Sequence, residues 1–329
     1  MKISVIIPTF KRPEKLERLL TILSAQSQSP DEVIVVDSAS DILTRNVVLS
    51  FQKKDILCKY ISNSIDSISV ARNLGASNAK GDYLIFLDDD DCPTSRYIEE
   101  IVKCFYKYPN ALLVQGNIVK KNAPKTAIST IWDYFWTQYN RFFLLFRYTQ
   151  CKKIVLGSGK TTFPINCEHD INCQWASGGA TCIKREVLDK FRYDEKLIRY
   201  CYGEDADFSF RIYKANPNSI YLSSKAKLIM FPSLNKITPA KKSIIMEKTY
   251  GLYFVSKNLS GTFKFILFLW SEIGSLIKDI LFCIFFFKKH GKYFVYRLIY
   301  SLYAYFICIR YFHKIKKLDI DCINNRYLI

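Results

Sequence analysis

Gly81-Asp82-Tyr83-Leu84-Ile85-Phe86-Leu87-Asp88-Asp89-Asp90-Asp91 runs from a glycine through an unbroken apolar stretch and stops on four consecutive carboxylates. An apolar run with no polar alternation reads as a strand buried on both faces, the pattern of a parallel sheet covered by helices. Four like charges at its end repel one another and disfavour folding unless a cation relieves them. Hard divalent ions such as Mg2+ or Mn2+ take oxygen ligands, often one or two carboxylates plus the phosphates of a substrate. A solvated acidic turn capping the next helix is the plain alternative; it suits one or two carboxylates better than four.

The same grammar extends upstream. Ile3-Ser4-Val5-Ile6-Ile7 halts at Pro8 and gives way to a helical stripe of Leu16, Leu19, Leu20 and Leu23. Glu32-Val33-Ile34-Val35-Val36 ends at Asp37, Leu57 to Ile61 reads as a third strand, and a helix is predicted from about Ser69. Strands alternating with helices predict an α/β fold, a mainly parallel sheet with helices on both faces, and ligands at the carboxyl ends of its strands. Asp37 and the aspartate run both sit at such ends. From Val114 to about Pro232 short strands mix with irregular chain, including a long stretch between Cys151 and Cys173 of the kind that is usually functional or mobile.

Composition narrows the function classes. The chain has 329 residues, 49% hydrophobic and 24% charged, which excludes disorder and low-complexity repeats. The formal charge is +18. Residues 236–329 hold sixteen Lys and Arg against five Asp and Glu, so the excess is mainly C-terminal. There Phe263, Ile266, Leu267, Trp270, Ile273, Ile277, Ile280, Leu281 and Ile284 form a helical stripe. The longest uncharged stretch of the aromatic region, Leu298 to Ile309, has twelve residues, short of the roughly 20 a spanning helix needs. Aromatic faces beside Lys288, Lys289, Lys292, Arg297, Arg310, Lys314, Lys316 and Lys317 suit helices lying in an anionic membrane interface. The alternative is that the stripe packs on the preceding domain and the cations face water. We therefore divide the chain into residues 1–232 and a helical, basic, aromatic-rich extension, 233–329. Nucleic-acid binding has only net charge and aromatics in its favour, and bare aspartates would repel phosphate, so no nucleic-acid partner is expected. Eleven scattered cysteines without a leader segment suggest a reducing cytosol. Cys167, His169 and Cys173 lack paired ligand spacing and read as free thiols and a loop histidine rather than a zinc site.

Further elements complete a recurring set. Val5-Ile6-Ile7-Pro8-Thr9-Phe10-Lys11-Arg12, Val35-Val36-Asp37-Ser38-Ala39-Ser40, Ala71-Arg72-Asn73-Leu74-Gly75, the aspartate run, Ser177-Gly178-Gly179-Ala180 and Tyr202-Gly203-Glu204-Asp205-Ala206-Asp207 follow in order. In these motifs residues 2–232 resemble the family 2 glycosyltransferases, which have a GT-A fold and use nucleotide-activated sugars. The resemblance implies that Pro8, Thr9 and Asp37 surround the nucleotide base, that Arg72 lies near the nucleotide, and that Asp88 and Asp89 contact ribose. It gives Asp90, with Asp88, to a Mn2+ or Mg2+ ion on the diphosphate, four consecutive aspartates leaving two registers open. Relatives often carry two acidic residues where this chain has Asp37-Ser38.

Glycosyl transfer needs relief of charge on the departing nucleotide and a base for the attacking hydroxyl. Glu204-Asp205 resembles the family's catalytic pair, with Asp205 as base in an inverting displacement. The same acidic residues also read as the first turn of a helix through Phe208, Phe210 and Ile212, with Arg211 pairing on its face. Gly178-Gly179 reads either as close backbone approach to sugar or acceptor or as a plain turn. Trp175 reads as a sugar-stacking ring or as core. The expected partners are a nucleotide-sugar donor, UDP-linked in the first instance, a glycan or lipid-linked glycan acceptor, and an anionic membrane surface. That places the protein on the inner face of the cell membrane in lipopolysaccharide, capsule or exopolysaccharide assembly. A sugar nucleotidyltransferase would want a glycine-rich phosphate loop after the first strand, and Pro8-Thr9-Phe10-Lys11-Arg12 has no glycine.

Overall fold

The computed structural model describes residues 1–52, 57–120, 127–165, 167–199, 203–230, 240–285 and 287–329. The first half alternates as the hydrophobic pattern requires: β1 (Ile3–Thr9), α1 (Pro13–Ser24), β2 (Glu32–Asp37), α2 (Ile42–Gln52), β3 (Cys58–Ser62), α3 (Ile68–Asn78) and β4 (Tyr83–Leu87). Pro13 opens α1 where its missing N–H costs nothing, and Leu16, Leu19, Leu20 and Leu23 bury one face of that helix. Ser67 caps α3 by accepting the Val70 N–H at 3.4 Å.

The chain continues through β5 (Asp91–Pro93), α4 (Tyr97–Lys107), β6 (Leu113–Lys120), α5 (Ala127–Phe142), β7 (Arg147–Thr149), β8 (Thr162–Pro164), β9 (Ile171–Asn172), β10 (Ala180–Lys184), α6 (Glu204–Ala215) and β11 (Ile220–Met230). The main sheet has the order β3-β2-β1-β4-β10-β6-β11-β5, with β9 beside β11. β3, β2, β1 and β4 are parallel, and β10 enters antiparallel to both β4 and β6. β1 therefore lies between β2 and β4, where successive crossovers leave in opposite directions. That reversal opens a crevice at the carboxyl ends of β1 and β4, beside Thr9 and Asp88. One apolar cluster, including Leu19, Val33, Ile85 and Ile101, packs one face of the sheet; a second, including Ile6, Phe86, Phe208 and Ile212, packs the other.

Three long helices follow, α7 (Ala240–Asn258), α8 (Thr262–Phe285) and α9 (Phe287–Arg310). The boundary expected at residue 232 lies outside the described residues. The two regions share a core, however: Trp175, Leu197, Ala206 and Phe210 pack in one cluster with Ile245, Met246, Tyr250, Phe254 and Phe268.

α8 is built with its polarity reversed. Its buried positions include Ser271, Glu272, Ser275 and Asp279, whereas Phe263, Ile266, Trp270, Ile273, Ile277, Ile280 and Ile284 are exposed. The inward polar face is neutralised. Glu272 pairs with Lys160 at 2.7 Å and Lys248 at 2.9 Å, and Asp279 accepts from Arg297 at 2.9 Å and Ser301 at 2.8 Å. Most of the stripe is thus exposed, while Trp270 packs back on the end of α5, stacking on Phe143 at 4.9 Å and donating its Nε1 to Phe142 O at 2.9 Å. No described helix is long and apolar enough to cross a membrane. The side chains of Lys288 and Lys289 lie outside the described residues.

Candidate active site

The aspartate run divides by orientation. Asp88 and Asp90 keep side-chain exposures of 21% and 28%, whereas Asp89 and Asp91 are buried at 6% and 5%. Asp91 accepts the Asp88 N–H at 2.7 Å, which closes the turn after β4. Asp89 accepts from Thr9 Oγ1 at 2.8 Å and pairs with Arg12 at 3.1 Å, tying the ends of β1 and β4 together. Burial pushes the Asp89 carboxyl up to about 6, opposed by Arg12 and Thr9. Burial and the neighbouring Asp88 charge also push Asp91 upward. Asp90 is held by Arg12 at 3.3 Å and Lys15 at 3.1 Å. Arg12 and Lys15 carry no role in the sequence reading; their signal is a pair of cations at the start of the helix that follows β1.

Arg72 is the second organiser. Fully buried on α3, it donates to Glu204 Oε1 and Asp88 Oδ1, both at 3.0 Å, and its guanidinium lies 5.2 Å from the Tyr193 ring centroid. Gly178 and Gly179 make room for these groups. A Cβ on Gly178 would stand 2.3 Å from Arg72 Nη1, and one on Gly179 would stand 2.3 Å from Asp88 Oδ2. The close approach expected at these glycines is thus to the Arg72–Asp88 pair.

Glu204 and Asp205 open α6 after Gly203, whose φ of +91° needs glycine. Desolvation and the adjacent Asp205 charge push Glu204 up to about 7, with Arg72 opposing. Desolvation also raises Asp205, again against Arg72. The carboxylate oxygens of Asp205 accept from the backbone N–H groups of Gly178, at 3.3 Å, and Ala206, at 2.7 Å. Glu204, Asp205 and Asp207 lie in the first turn of α6 without a side-chain capping hydrogen bond, and Arg211 pairs with Asp207 at 3.0 Å. Tyr202 lies outside the described residues.

Asp88, Arg72, Gly178, Gly179, Glu204 and Asp205 share a cavity of about 370 Å3. Its far wall is Tyr250, Gly251 and Phe254 of α7, Phe268 of α8, and Ser158 to Thr161, which belong to the stretch read as irregular between Cys151 and Cys173. An adjoining depression at the crevice is lined by Pro8, Thr9, Arg12, Ser38, Asp66, Asp88, Asp89 and Asp90. Asp88 borders both.

Two of the expected site residues, Asp37 and Trp175, are buried. Asp37 is fully buried and turned inward: its carboxylate accepts the N–H groups of Ala39 at 2.9 Å and Asp41 at 2.7 Å and the Tyr60 hydroxyl at 2.9 Å. It shapes the loop after β2, and Ser38 and Asp66 are the polar groups that line the depression nearby. Trp175 borders the larger cavity but is only 6% exposed, so it offers no open face for stacking a sugar. Its ring lies 3.9 Å from Lys153 Nζ, and its Nε1 donates to Thr162 O at 3.1 Å. Lys153, absent from the sequence reading, is fully buried and donates to Ser177 Oγ at 2.9 Å; desolvation lowers its ammonium to about 7. Cys167 and Cys173 are buried free thiols. No cluster of three or more His, Cys, Asp or Glu suited to a metal ion occurs among the described residues. The donor chemistry at the crevice still fits a hard cation, since two accessible carboxylates suffice when phosphate oxygens and water supply the other ligands.

Comparison with known proteins bears on the fold and family. Residues 4–167 match the profile of Glycosyl transferase family 2. Over 92 residues the chain is 38% identical to the GalNAc(5)-diNAcBac-PP-undecaprenol beta-1,3-glucosyltransferase of Campylobacter jejuni, covering 27% of this chain and 30% of that one. Over 119 residues it is 34% identical to the poly(ribitol-phosphate) beta-N-acetylglucosaminyltransferase TarP of Staphylococcus aureus, covering 35% and 36%. The chain thus spans about a third of the length of these relatives. A crystal structure of S. aureus TarS 1-349 in complex with UDP-GlcNAc superposes with a TM-score of 0.55 at 16% identity, over 92% of this chain and 79% of that one.

Proposed function

We propose, from the premise that the chain belongs to glycosyltransferase family 2 and has the GT-A fold, that it moves a sugar from a nucleotide diphosphate to a hydroxyl of a growing glycan with inversion. The observation that carries this reading is the convergence of Asp88, Arg72, Glu204 and Asp205 on one cavity beside the β1–β4 crevice. The donor is a nucleotide sugar, UDP-linked in the first instance, in keeping with the UDP-GlcNAc held by TarS. Its nucleotide lies in the depression near Pro8, Thr9, Ser38 and Asp89, and its glycosyl group extends past Asp88.

Asp88 and Asp90, the two accessible carboxylates, would hold Mn2+ or Mg2+; such an ion supplies Lewis-acid neutralisation of charge on the diphosphate. Arg12 and Lys15 orient the phosphates from the other side of Asp90. Arg72 fixes Asp88 and Glu204 in place. Asp205 takes the proton of the attacking hydroxyl: unlike Glu204, it has no cation bonded to it among the described residues, and a raised carboxyl is the better acceptor near neutrality. Displacement from the opposite face needs no enzyme nucleophile.

The acceptor is a glycan, lipid-linked for surface polysaccharide assembly, and its hydroxyl reaches the cavity walled by Tyr250, Phe254 and Phe268. The outward apolar stripe of α8 supports peripheral attachment to an anionic membrane on its cytoplasmic face.

The test is slow donor hydrolysis with Mn2+ or Mg2+ across a panel of nucleotide sugars, with Asp90→Ala and Asp205→Asn alongside. At least one donor should be turned over, and both variants should lose activity. No turnover of any donor would overturn the transferase reading, and an unchanged Asp90→Ala protein would remove the metal from it.

A further inference from the structure

A second cavity, about 740 Å3, lies between α5, β7 and α8, and its position relative to the first gives it meaning. It shares Ile118, Phe146 and Phe163 with the wall of the Asp205 cavity. Two cations reach it. Arg147, half-buried at the start of β7, has an Nη1 that is buried without a hydrogen-bond partner. Lys278, half-buried on α8, makes one long contact to Asn140 Oδ1 at 3.4 Å and otherwise faces the rings of Trp136 and Phe282.

Neither cation has an ion pair among the described residues. Burial lowers both; Arg141 adds to this for Arg147, and for Lys278 Arg297 adds to it while the carboxylates of Asp279 and Glu247 oppose it. Asp133, exposed on α5, is the single carboxylate among the described lining residues. Arg147, whose Nη1 is buried without a partner, is the cation that an incoming anion would complete, with Lys278 beside it.

The surroundings identify the kind of anion. Trp132 and Phe135 of α5 and Ile273, Ile277 and Ile280 of α8 are exposed, and Trp132 meets Phe285 edge to face at 5.9 Å, so the two helices present one apolar surface. An anion seated on Arg147 and Lys278 has an apolar surface on one side and the catalytic cavity on the other. We infer that this cavity binds the phosphate or diphosphate head of a lipid-linked acceptor, with its hydrocarbon chain laid over α5 and α8 and its sugar directed past Phe146 toward Asp205. The inference rests on the glycosyltransferase reading and assigns its acceptor a chemical class and a seat.

The experiment is a titration of the full chain, followed by Trp fluorescence and calorimetry, with farnesyl diphosphate, inorganic pyrophosphate and farnesol. Farnesyl diphosphate should bind about tenfold or more tightly than either fragment, and Arg147→Gln and Lys278→Gln should each weaken it about tenfold or more. Affinity for UDP should stay unchanged in both variants, which reports an intact fold. Pyrophosphate binding as well as farnesyl diphosphate would make this a site for free anions and overturn the lipid assignment. Variants that bind farnesyl diphosphate like the parent would overturn the site. Either result accompanied by normal donor hydrolysis leaves the transferase reading standing, whereas a parent protein that turns over no donor overturns the reading beneath both.

Discussion

Arg72 and Glu204, 132 positions apart in the chain, meet in a 3.0 Å ion pair with side-chain exposures of 2% and 9%. This contact joins the helix after β3 to the helix that carries the proposed base, and it sets the cost of disturbing either.

Arg72→Gln leaves two carboxylates without their cation in a desolvated setting, and breaking a buried pair from one side costs about 3–5 kcal/mol. Urea unfolding should show a loss of that size together with lost donor turnover. Arg72→Lys should recover only part of both, because an ammonium lacks the fork that serves Glu204 and Asp88 at once. Full recovery in the lysine variant would show that the bridge is not the requirement.

The pH dependence follows from the raised Glu204–Asp205 pair. The base must be ionised, so donor turnover should rise with pH over a range above that of an ordinary aspartate, because burial raises Asp205. Because the native state holds this proton more tightly than the unfolded chain, the pair's contribution to stability falls from the ordinary glutamate range up to about 7. Glu204→Gln removes one of two like charges and should move the acid limb of the rate profile to lower pH. A limb that stays in place would exclude the pair as its origin.

Gly179→Ala puts a methyl group 2.3 Å from Asp88 Oδ2 at the entry to β10. Overpacking of this kind costs about 1–3 kcal/mol. The more telling readout is nucleotide-sugar affinity, which should fall as Asp88 is displaced; thermal melts and donor titrations on one preparation separate the two effects. Unchanged affinity would show that Asp88 does not hold the donor.

Ile273→Ser with Ile277→Ser changes exposed positions on α8, so folding stability should move by no more than about 0.5 kcal/mol. Each isoleucine is worth about 1.5–3 kcal/mol when taken out of water, so flotation with anionic phosphatidylglycerol vesicles should show binding reduced at least about tenfold. Vesicle binding equal to that of the parent would remove the attachment proposed for this face.

The chain's periodicity revealed much of this architecture and left out what depends on direction. The runs Ile3–Ile7, Glu32–Val36 and Tyr83–Leu87 are strands because continuous apolar sequence has few other uses in a chain interrupted by helices. The inward turn of Asp37 was not legible, since a strand-end carboxylate can close its own loop or reach a ligand and only the position of Tyr60 decides between them. The α8 stripe was legible as a stripe, yet a moment has no inside or outside. Its orientation follows from Lys160, Lys248 and Arg297, long-range partners of Glu272 and Asp279 that no local window contains. Lys153 and Arg147 left no motif at all, being single cations whose meaning is their burial.

Tyr250, Gly251, Phe254 and Phe268 wall the cavity that holds Asp205. A protein shortened to its nucleotide-handling half would keep the floor for a donor and lose the roof above it. Water would then reach an activated sugar with nothing in its way, turning a builder of glycosidic links into a slow waster of precursor.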